Sequence, residues 1–175
     1  MFDKRLSVLK ENFPGLFTGN KSVCFINPRD LTDLDHFNIH NTVVFTDDIR
    51  IYSQLSVFGY NCEPEANLDV DISIVLLPKS KELARELVFM GFMMSPEGFV
   101  VIDGDKKDGI VSIIKELEKE ICYEVKLSKA HGKIAVFRPA NGNLPSNWNA
   151  NQSNKVNNEF ITCLLYTSDA ADDVR

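Results

Sequence analysis

Three short segments carry side chains that could do chemistry, because each follows directly on a run of strand-forming residues. In sheets flanked by helices, ligands bind beyond the carboxyl ends of the strands. The segments are residues 27–31 after Val23–Ile26, Asp47 and Asp48 after Thr42–Phe45, and residues 78–80 after the apolar run 71–77. Their carboxylates, amide and lysine are suited to a ligand of the ribose and phosphate type.

The first of these segments lacks the residue that such a ligand needs most. A cofactor-binding turn must let the backbone approach the ligand closely, which glycine permits. The turn reads Asn27-Pro28-Arg29-Asp30-Leu31, so it has no glycine, and Pro28 also removes a backbone donor. Gly15 and Gly19 precede the strand. We therefore predict no cofactor-binding residue here, and we expect Asp47 and Asp48 to cap a helix.

A second candidate site is a group of cations near the end of the chain. Lys126, Lys129, His131 and Lys133 lie close together in an acidic protein. Since alternate residues of a strand point to the same side, Lys129, His131 and Lys133 share one face if the turn keeps that register. We predict these four residues as candidate RNA phosphate contacts. The alternative is a solvated hairpin tip, because turns favour polar residues.

Net charge, cysteine spacing and hydropathy argue against several classes of protein. The net charge of −6 argues against a free-standing nucleic-acid binder, although it leaves room for a local basic patch. Cys24, Cys62 and Cys122 are widely spaced without a CxxC pair, so we expect buried apolar side chains rather than a disulfide framework or a metal site. The sequence has no apolar run long enough to suggest a membrane span, so no membrane partner is predicted. The cytoplasm is the expected compartment.

The remaining elements alternate between strand and helix. Phe2, Leu6, Leu9 and Phe13 form one apolar stripe of a helix. Further helices are predicted after Asp48, after Ser80 and around residues 110–121, and strands at 99–102, 122–127 and 133–137, the last two as an antiparallel hairpin. This order predicts an α/β fold with a doubly wound, mostly parallel sheet. With a weak strand near Tyr60 there are seven strands with the last reversed, which is the layout of the class I methyltransferase (Rossmann-like) fold. From periodicity alone, other doubly wound folds stay open.

In enzymes of that fold that methylate exocyclic amines, the segment after the central strand commonly carries Asn-Pro-Pro-Phe or a close variant, whose amide and aromatic ring hold the base. Leu77-Pro78-Lys79-Ser80 keeps one proline but lacks the amide and the ring. We therefore predict no catalytic residue, no metal and no bound methyl donor in this chain.

The chain is predicted to have three parts. Residues 1–138 form the degenerate methyltransferase-like domain. Residues 139–162 contain eight Asn and read as a surface linker. Cys163 to Asp172 match, codon for codon, one frame of a common transposase-end sequencing adapter, so residues 163–175 are predicted to be an artefact that interrupts the natural sequence after Thr162. Without these residues the net charge is nearer −4.

Several segments resemble a known family. Leu76-Leu77-Pro78-Lys79, Lys107-Asp108-Gly109-Ile110 and Ser128-Lys129-Ala130-His131-Gly132-Lys133 are similar to the N-terminal half of bacterial small-subunit ribosomal RNA guanine-N2 methyltransferases, closest to the alphaproteobacterial branch. Asn158-Glu159-Phe160-Ile161-Thr162 resembles the start of the second domain of that family. The resemblance covers roughly residues 70 to 162.

The resemblance implies a two-domain protein acting on 16S ribosomal RNA. In that family the second domain binds S-adenosylmethionine and carries the Asn-Pro-Pro motif, and the first supports it and helps to hold RNA. This chain would then be the non-catalytic half, with the catalytic domain and ribosomal RNA as partners. Two alternatives stay open: a stand-alone α/β interaction module, and a complete small methyltransferase with a divergent donor site.

Overall fold

The computed structural model describes residues 2–62, 68–145 and 148. The predicted artefact and the predicted start of a second domain lie outside these residues, as does most of the predicted linker. Four α-helices are described: α1 (Phe2–Asn12), α2 (Ile49–Val57), α3 (Lys81–Met94) and α4 (Ile110–Leu117). Six strands are described: β1 (Val23–Ile26), β2 (Thr42–Phe45), β3 (Ile72–Leu76), β4 (Phe99–Asp105), β5 (Tyr123–Lys129) and β6 (Gly132–Phe137).

The strands form one sheet in the order β2-β1-β3-β4-β6-β5. β2, β1, β3 and β4 are parallel, while β6 runs antiparallel to both β4 and β5. The predicted doubly wound, mostly parallel sheet with a C-terminal hairpin is therefore confirmed. The predicted strand near Tyr60 is wrong for the described residues, where it is reduced to a single parallel bridge between Val43 and Asn61.

Helices cover both faces of the sheet. One apolar cluster joins α3 and α4 to one face, and a second joins α1 and α2 to the other, with Phe2 and Leu9 of α1 almost fully buried. Each residue of β3 is buried, because this central strand is covered on both sides. Ser80 caps α3 by accepting a hydrogen bond from the backbone of Leu83, as the sequence predicts.

The three cysteines do not share one environment. Cys24 is buried in β1, where burial raises the pKa of its thiol to about 12. Cys62 is half-buried and Cys122 is exposed. The expectation that these cysteines are buried apolar side chains is thus right for Cys24 and wrong for Cys122, which follows α4 at the surface.

The segment after β6 stays in contact with the domain. Trp148 has only 4% of its surface exposed, belongs to the cluster beneath α3 and α4, and donates its indole N–H to Glu116 at 3.2 Å. Leu144 packs against the same cluster. Leu144 and Trp148 of the predicted linker therefore pack on the domain.

Candidate functional site

The strand order reverses between β1 and β3, so this is where the fold offers a ligand crevice. From β1 the chain continues to β2 on one side, and from β3 it continues to β4 on the other. The loops after β1 and β3 consequently diverge above the carboxyl ends of two neighbouring strands. Such a switch point is the general ligand site of open α/β sheets.

Asn27 spans this crevice. Its side-chain amide donates a 2.7 Å hydrogen bond to the carbonyl oxygen of Leu76, which connects the end of β1 to the end of β3. The backbone of Asn27 has φ of +60°, a left-handed conformation that glycine and asparagine tolerate best. The turn thus has the backbone shape that usually calls for glycine, but it carries a side chain that is bonded to the end of β3.

The backbone of residues 27–29 also offers no free donor. The N–H of Asn27 donates to Phe45 O at 2.8 Å, Pro28 has no N–H, and the N–H of Arg29 donates to a carboxylate oxygen of Asp33 at 2.8 Å. Asp33 is buried, which raises the pKa of its carboxyl group while the Arg29 bond opposes that effect. A ligand phosphate or carboxylate would need such N–H groups free.

The carboxylates after β2 serve the helix that follows. Asp48 is the N-cap of α2 and accepts hydrogen bonds from the backbone N–H of Arg50 at 2.9 Å and from its guanidinium at 2.6 Å. These Arg50 bonds lower the pKa of Asp48 to about 2. Capping is confirmed for Asp48, whereas Asp47 is exposed. Just past the end of α2, Gly59 takes φ of +85°, the left-handed conformation in which helices commonly end.

A buried ion pair beside the crevice is the feature that sequence reasoning missed. The guanidinium of Arg5 donates to both carboxylate oxygens of Asp103, at 2.5 and 2.7 Å, and to Asp105 at 2.9 Å. Arg5 and Asp103 are fully buried. Burial raises the pKa of Asp103, and the bonds from Arg5 oppose that rise.

The prediction that β4 ends before Asp103 is wrong. The strand continues through Asp103 and Gly104 to Asp105, and Asp103 pairs with Leu76 on one side and Ile134 on the other. One sequence signal was available: Arg5 lies three residues after Phe2 and four before Leu9, on the buried stripe of α1. A cation there requires a buried anion as its partner.

The hairpin does not bring the predicted cations together. Its turn consists of Ala130 and His131, both with left-handed φ, and Lys129 pairs with Gly132 while Ser128 pairs with Lys133. Paired residues share a face and adjacent residues alternate, so Lys129 and Lys133 lie on opposite faces. The prediction that Lys129 and Lys133 share one face is therefore wrong, because the turn has two residues.

The other two cations of this group also differ in environment. Lys126 forms an ion pair with Glu118, which raises the pKa of Lys126, and its ammonium lies 4.4 Å from the ring centre of Tyr123. His131 is exposed at the turn. Contact of Lys126, Lys129, His131 and Lys133 with RNA stays a prediction, now for separate side chains rather than one cluster.

Gly132 is part of β6 rather than of the turn. A Cβ at this position would lie 2.5 Å from the carbonyl oxygen of Gly104 and 2.3 Å from the guanidinium of Arg5. Glycine is therefore required where the hairpin closes over the buried ion pair.

Within the described ranges, no group of three or more His, Cys, Asp or Glu side chains is arranged to hold a metal ion. Among the same residues, no helix has the length and apolar character needed to cross a membrane.

The sheet order, the reversed last strand and the helices on both faces define an α/β fold of the class I methyltransferase type. Solved structures with this fold include the 16S rRNA N2 G1207 methyltransferase of T. thermophilus in complex with AdoMet and guanosine, with a TM-score of 0.55 and 13% identity over 71% of this chain. A fibrillarin/Nop5p complex matches with a TM-score of 0.55 and 11% identity, over 70% of this chain and 74% of that one. A putative RNA methyltransferase from Pyrococcus horikoshii matches with a TM-score of 0.52 and 13% identity, over 83% of this chain and 82% of that one.

At these identities the likeness is one of fold. The match spans only 36% of the length of the T. thermophilus enzyme. No protein-family model and no curated protein sequence matches the chain.

The two roles of Asn27 can be separated by a pair of substitutions. Asn27→Ala loses the bond to Leu76 and strains the left-handed backbone, so we expect it to lower the free energy of unfolding by about 2 kcal/mol. Asn27→Gly loses only the bond, and we expect a loss of about 1 kcal/mol. Urea unfolding measures both values. An equal loss in the two variants would contradict the assigned strain, and no loss in either would contradict the bond.

Proposed function

We propose that this chain is a non-catalytic methyltransferase-like domain, the N-terminal half of a S-adenosylmethionine-dependent 16S ribosomal RNA guanine-N2 methyltransferase of the cytoplasm. Its role is to support a catalytic second domain and to contribute to holding ribosomal RNA. The observation that carries the proposal is the occupied crevice, where Asn27 spans β1 and β3 and the turn offers no free N–H at residues 27 to 29. S-adenosylmethionine belongs to the second domain in this proposal.

The choice of RNA as substrate rests on two supports. The segments that include residues 107–110 and 128–133 resemble the guanine-N2 enzymes, and a structure with the same fold is a 16S rRNA N2 methyltransferase that is much longer than this chain. On this proposal, Lys129 and Lys133 reach RNA from opposite faces of the hairpin, each as a single phosphate contact.

We expect this chain to show no saturable binding of S-adenosylmethionine in isothermal titration calorimetry. Asn27→Gly is the informative companion, because it removes the side chain from the crevice but leaves Pro28 and the Arg29–Asp33 bond in place. We expect no binding by this variant either. A dissociation constant of about 10 μM or tighter, on the order of 7 kcal/mol, would contradict the non-catalytic assignment.

We also expect the intact gene of a homologue to continue past the codon for Thr162 into a second domain of similar size. That domain should carry a glycine-rich donor turn and an Asn-Pro-Pro motif. Genomic sequencing across this point is the measurement. A stop codon soon after Thr162 in clean reads would favour a stand-alone interaction module.

A further inference from the structure

A cleft of about 240 Å³ lies at the amino edge of the sheet, opposite the crevice described above. Its floor is made by the first residues of three parallel strands, Val23, Thr42 and Ile72. Its walls come from the end of α1, from residues 17–21 and from residues 36–41. Because this edge is the opposite end of the strands, the cleft is separate from any methyl-donor site.

The lining of the cleft is positively charged through Lys10 and Lys21, in an acidic protein. Lys10, Lys21 and His36 line it together with three asparagines, and its lining includes no carboxylate. Of the carboxylates nearby, Asp3 lies 3.6 Å from His36, and Asp71 accepts two hydrogen bonds from Ser22. An anion is therefore the ligand that the charge of this cleft favours.

Both lysines are held in place by their neighbours. The ammonium of Lys21 donates to the carbonyl oxygens of Gly15 at 3.1 Å and Leu16 at 2.9 Å. The ammonium of Lys10 lies 5.7 Å from the ring centre of Phe17 and 5.8 Å from that of Phe37. Positioned side chains lose less freedom when a ligand binds, so the cleft is pre-organised.

The same walls offer groups that recognise a nucleobase. The rings of Phe17 and Phe37 are half-buried and form an edge-to-face pair with centres 5.9 Å apart. Asn41 donates a side-chain hydrogen bond to Asn20. Since each carboxamide has two N–H donors and a carbonyl acceptor, that bond leaves capacity on both residues. Aromatic faces beside cations are the arrangement that binds single nucleotides and unpaired strands.

We infer that this cleft binds one nucleotide unit, with its phosphate at Lys10, Lys21 and His36 and its base against Phe17 and Phe37. The unit comes either from a free mononucleotide or from a single-stranded RNA. The site stands independently of the proposed function, because it uses none of the residues that carry that proposal.

The test is a titration of the ¹⁵N-labelled chain followed by NMR. The ligands are inorganic phosphate, GMP, AMP and a five-nucleotide single-stranded RNA. We expect saturable shifts at the amides of Phe17, Asn20 and Phe37, with a dissociation constant on the order of 10⁻⁴ M for the nucleotides. The variant Lys10→Gln should weaken nucleotide binding about tenfold, while Lys4→Gln, an equal loss of charge from the exposed face of α1, should leave it unchanged.

Each outcome decides the inference. Tighter binding of the RNA than of GMP or AMP identifies the strand as the source, and equal binding identifies the free nucleotide. Inorganic phosphate that binds as tightly as GMP and AMP would overturn the base contact. An equal effect of Lys4→Gln and Lys10→Gln, or no saturable shifts at 10⁻² M ligand (roughly a hundred times the expected constant), would overturn the site.

Discussion

Replacing Arg5 by methionine is expected to lower the free energy of unfolding by about 3–5 kcal/mol. The substitution keeps an unbranched apolar stem in the core but removes the guanidinium that holds Asp103. The carboxylate of Asp103 is fully buried, and Arg5 provides its two short charge-assisted hydrogen bonds. A buried charge without its partner costs far more than the pair itself contributes. Urea unfolding followed by circular dichroism measures the loss.

The reciprocal variant is the control for this prediction. Arg5→Met combined with Asp103→Leu replaces both charges by apolar side chains, and we expect it to recover most of the lost stability. Lys4→Met, at an exposed position of the same helix, should change the free energy of unfolding by no more than about 0.5 kcal/mol. A loss below about 1 kcal/mol for Arg5→Met alone would show that the pair is not buried as described.

The second large effect is expected at Trp148. Trp148→Ala removes a side chain that is 96% buried in the cluster beneath α3 and α4. We expect it to lower the free energy of unfolding by about 3–5 kcal/mol. The indole also donates to Glu116, which pairs with Lys81 at 2.6 Å and Arg85 at 3.0 Å. Burial raises the pKa of Glu116, but the bonds from Lys81, Trp148 and Arg85 more than offset this and hold that pKa below its ordinary value.

Trp148→Phe is the matched variant, because it keeps an aromatic ring and loses the N–H. We expect it to retain most of the stability that Trp148→Ala loses. As the chain has a single tryptophan, the fluorescence of the unsubstituted protein gives an independent measurement. A fluorescence transition well before global unfolding would mean that Trp148 leaves the domain on its own. A coincident transition places the folded unit beyond residue 138.

Local signals were sufficient to predict most of the elements. The apolar stripe of α1, the caps at Asp48 and Ser80 and the continuous apolar run of β3 each depend on residues a few positions apart. The alternation of strand and helix then favours a mostly parallel sheet. The absence of glycine from the turn after β1 was also evident from the sequence. The left-handed backbone of Asn27 and its bond to Leu76 could not be predicted.

Contacts between residues far apart in the sequence could not be predicted. Arg5 and Asp103 are 98 residues apart, so the position of Arg5 on the apolar stripe of α1 indicates a buried anion but not which one. The faces of Lys129 and Lys133 depend on whether the hairpin turn has two residues or more, and Ala130 and His131 are not the residues that favour the left-handed turn observed. The cleft at the amino edge joins side chains from four separate stretches of the chain, so no local motif marks it.

The bond between Arg5 and Asp103 also bears on the timing of folding during synthesis. Helix α1 leaves the ribosome first, but the anion that neutralises Arg5 follows 98 residues later, and the hairpin that closes over the pair comes later still. At the usual ~5–20 residues per second this is a delay of about 5–20 s. Throughout that interval Phe2, Leu6 and Leu9 lack β5 and β6, although β1, β2 and β3 are synthesised within it. Folding of the domain is therefore completed only when the last two strands arrive.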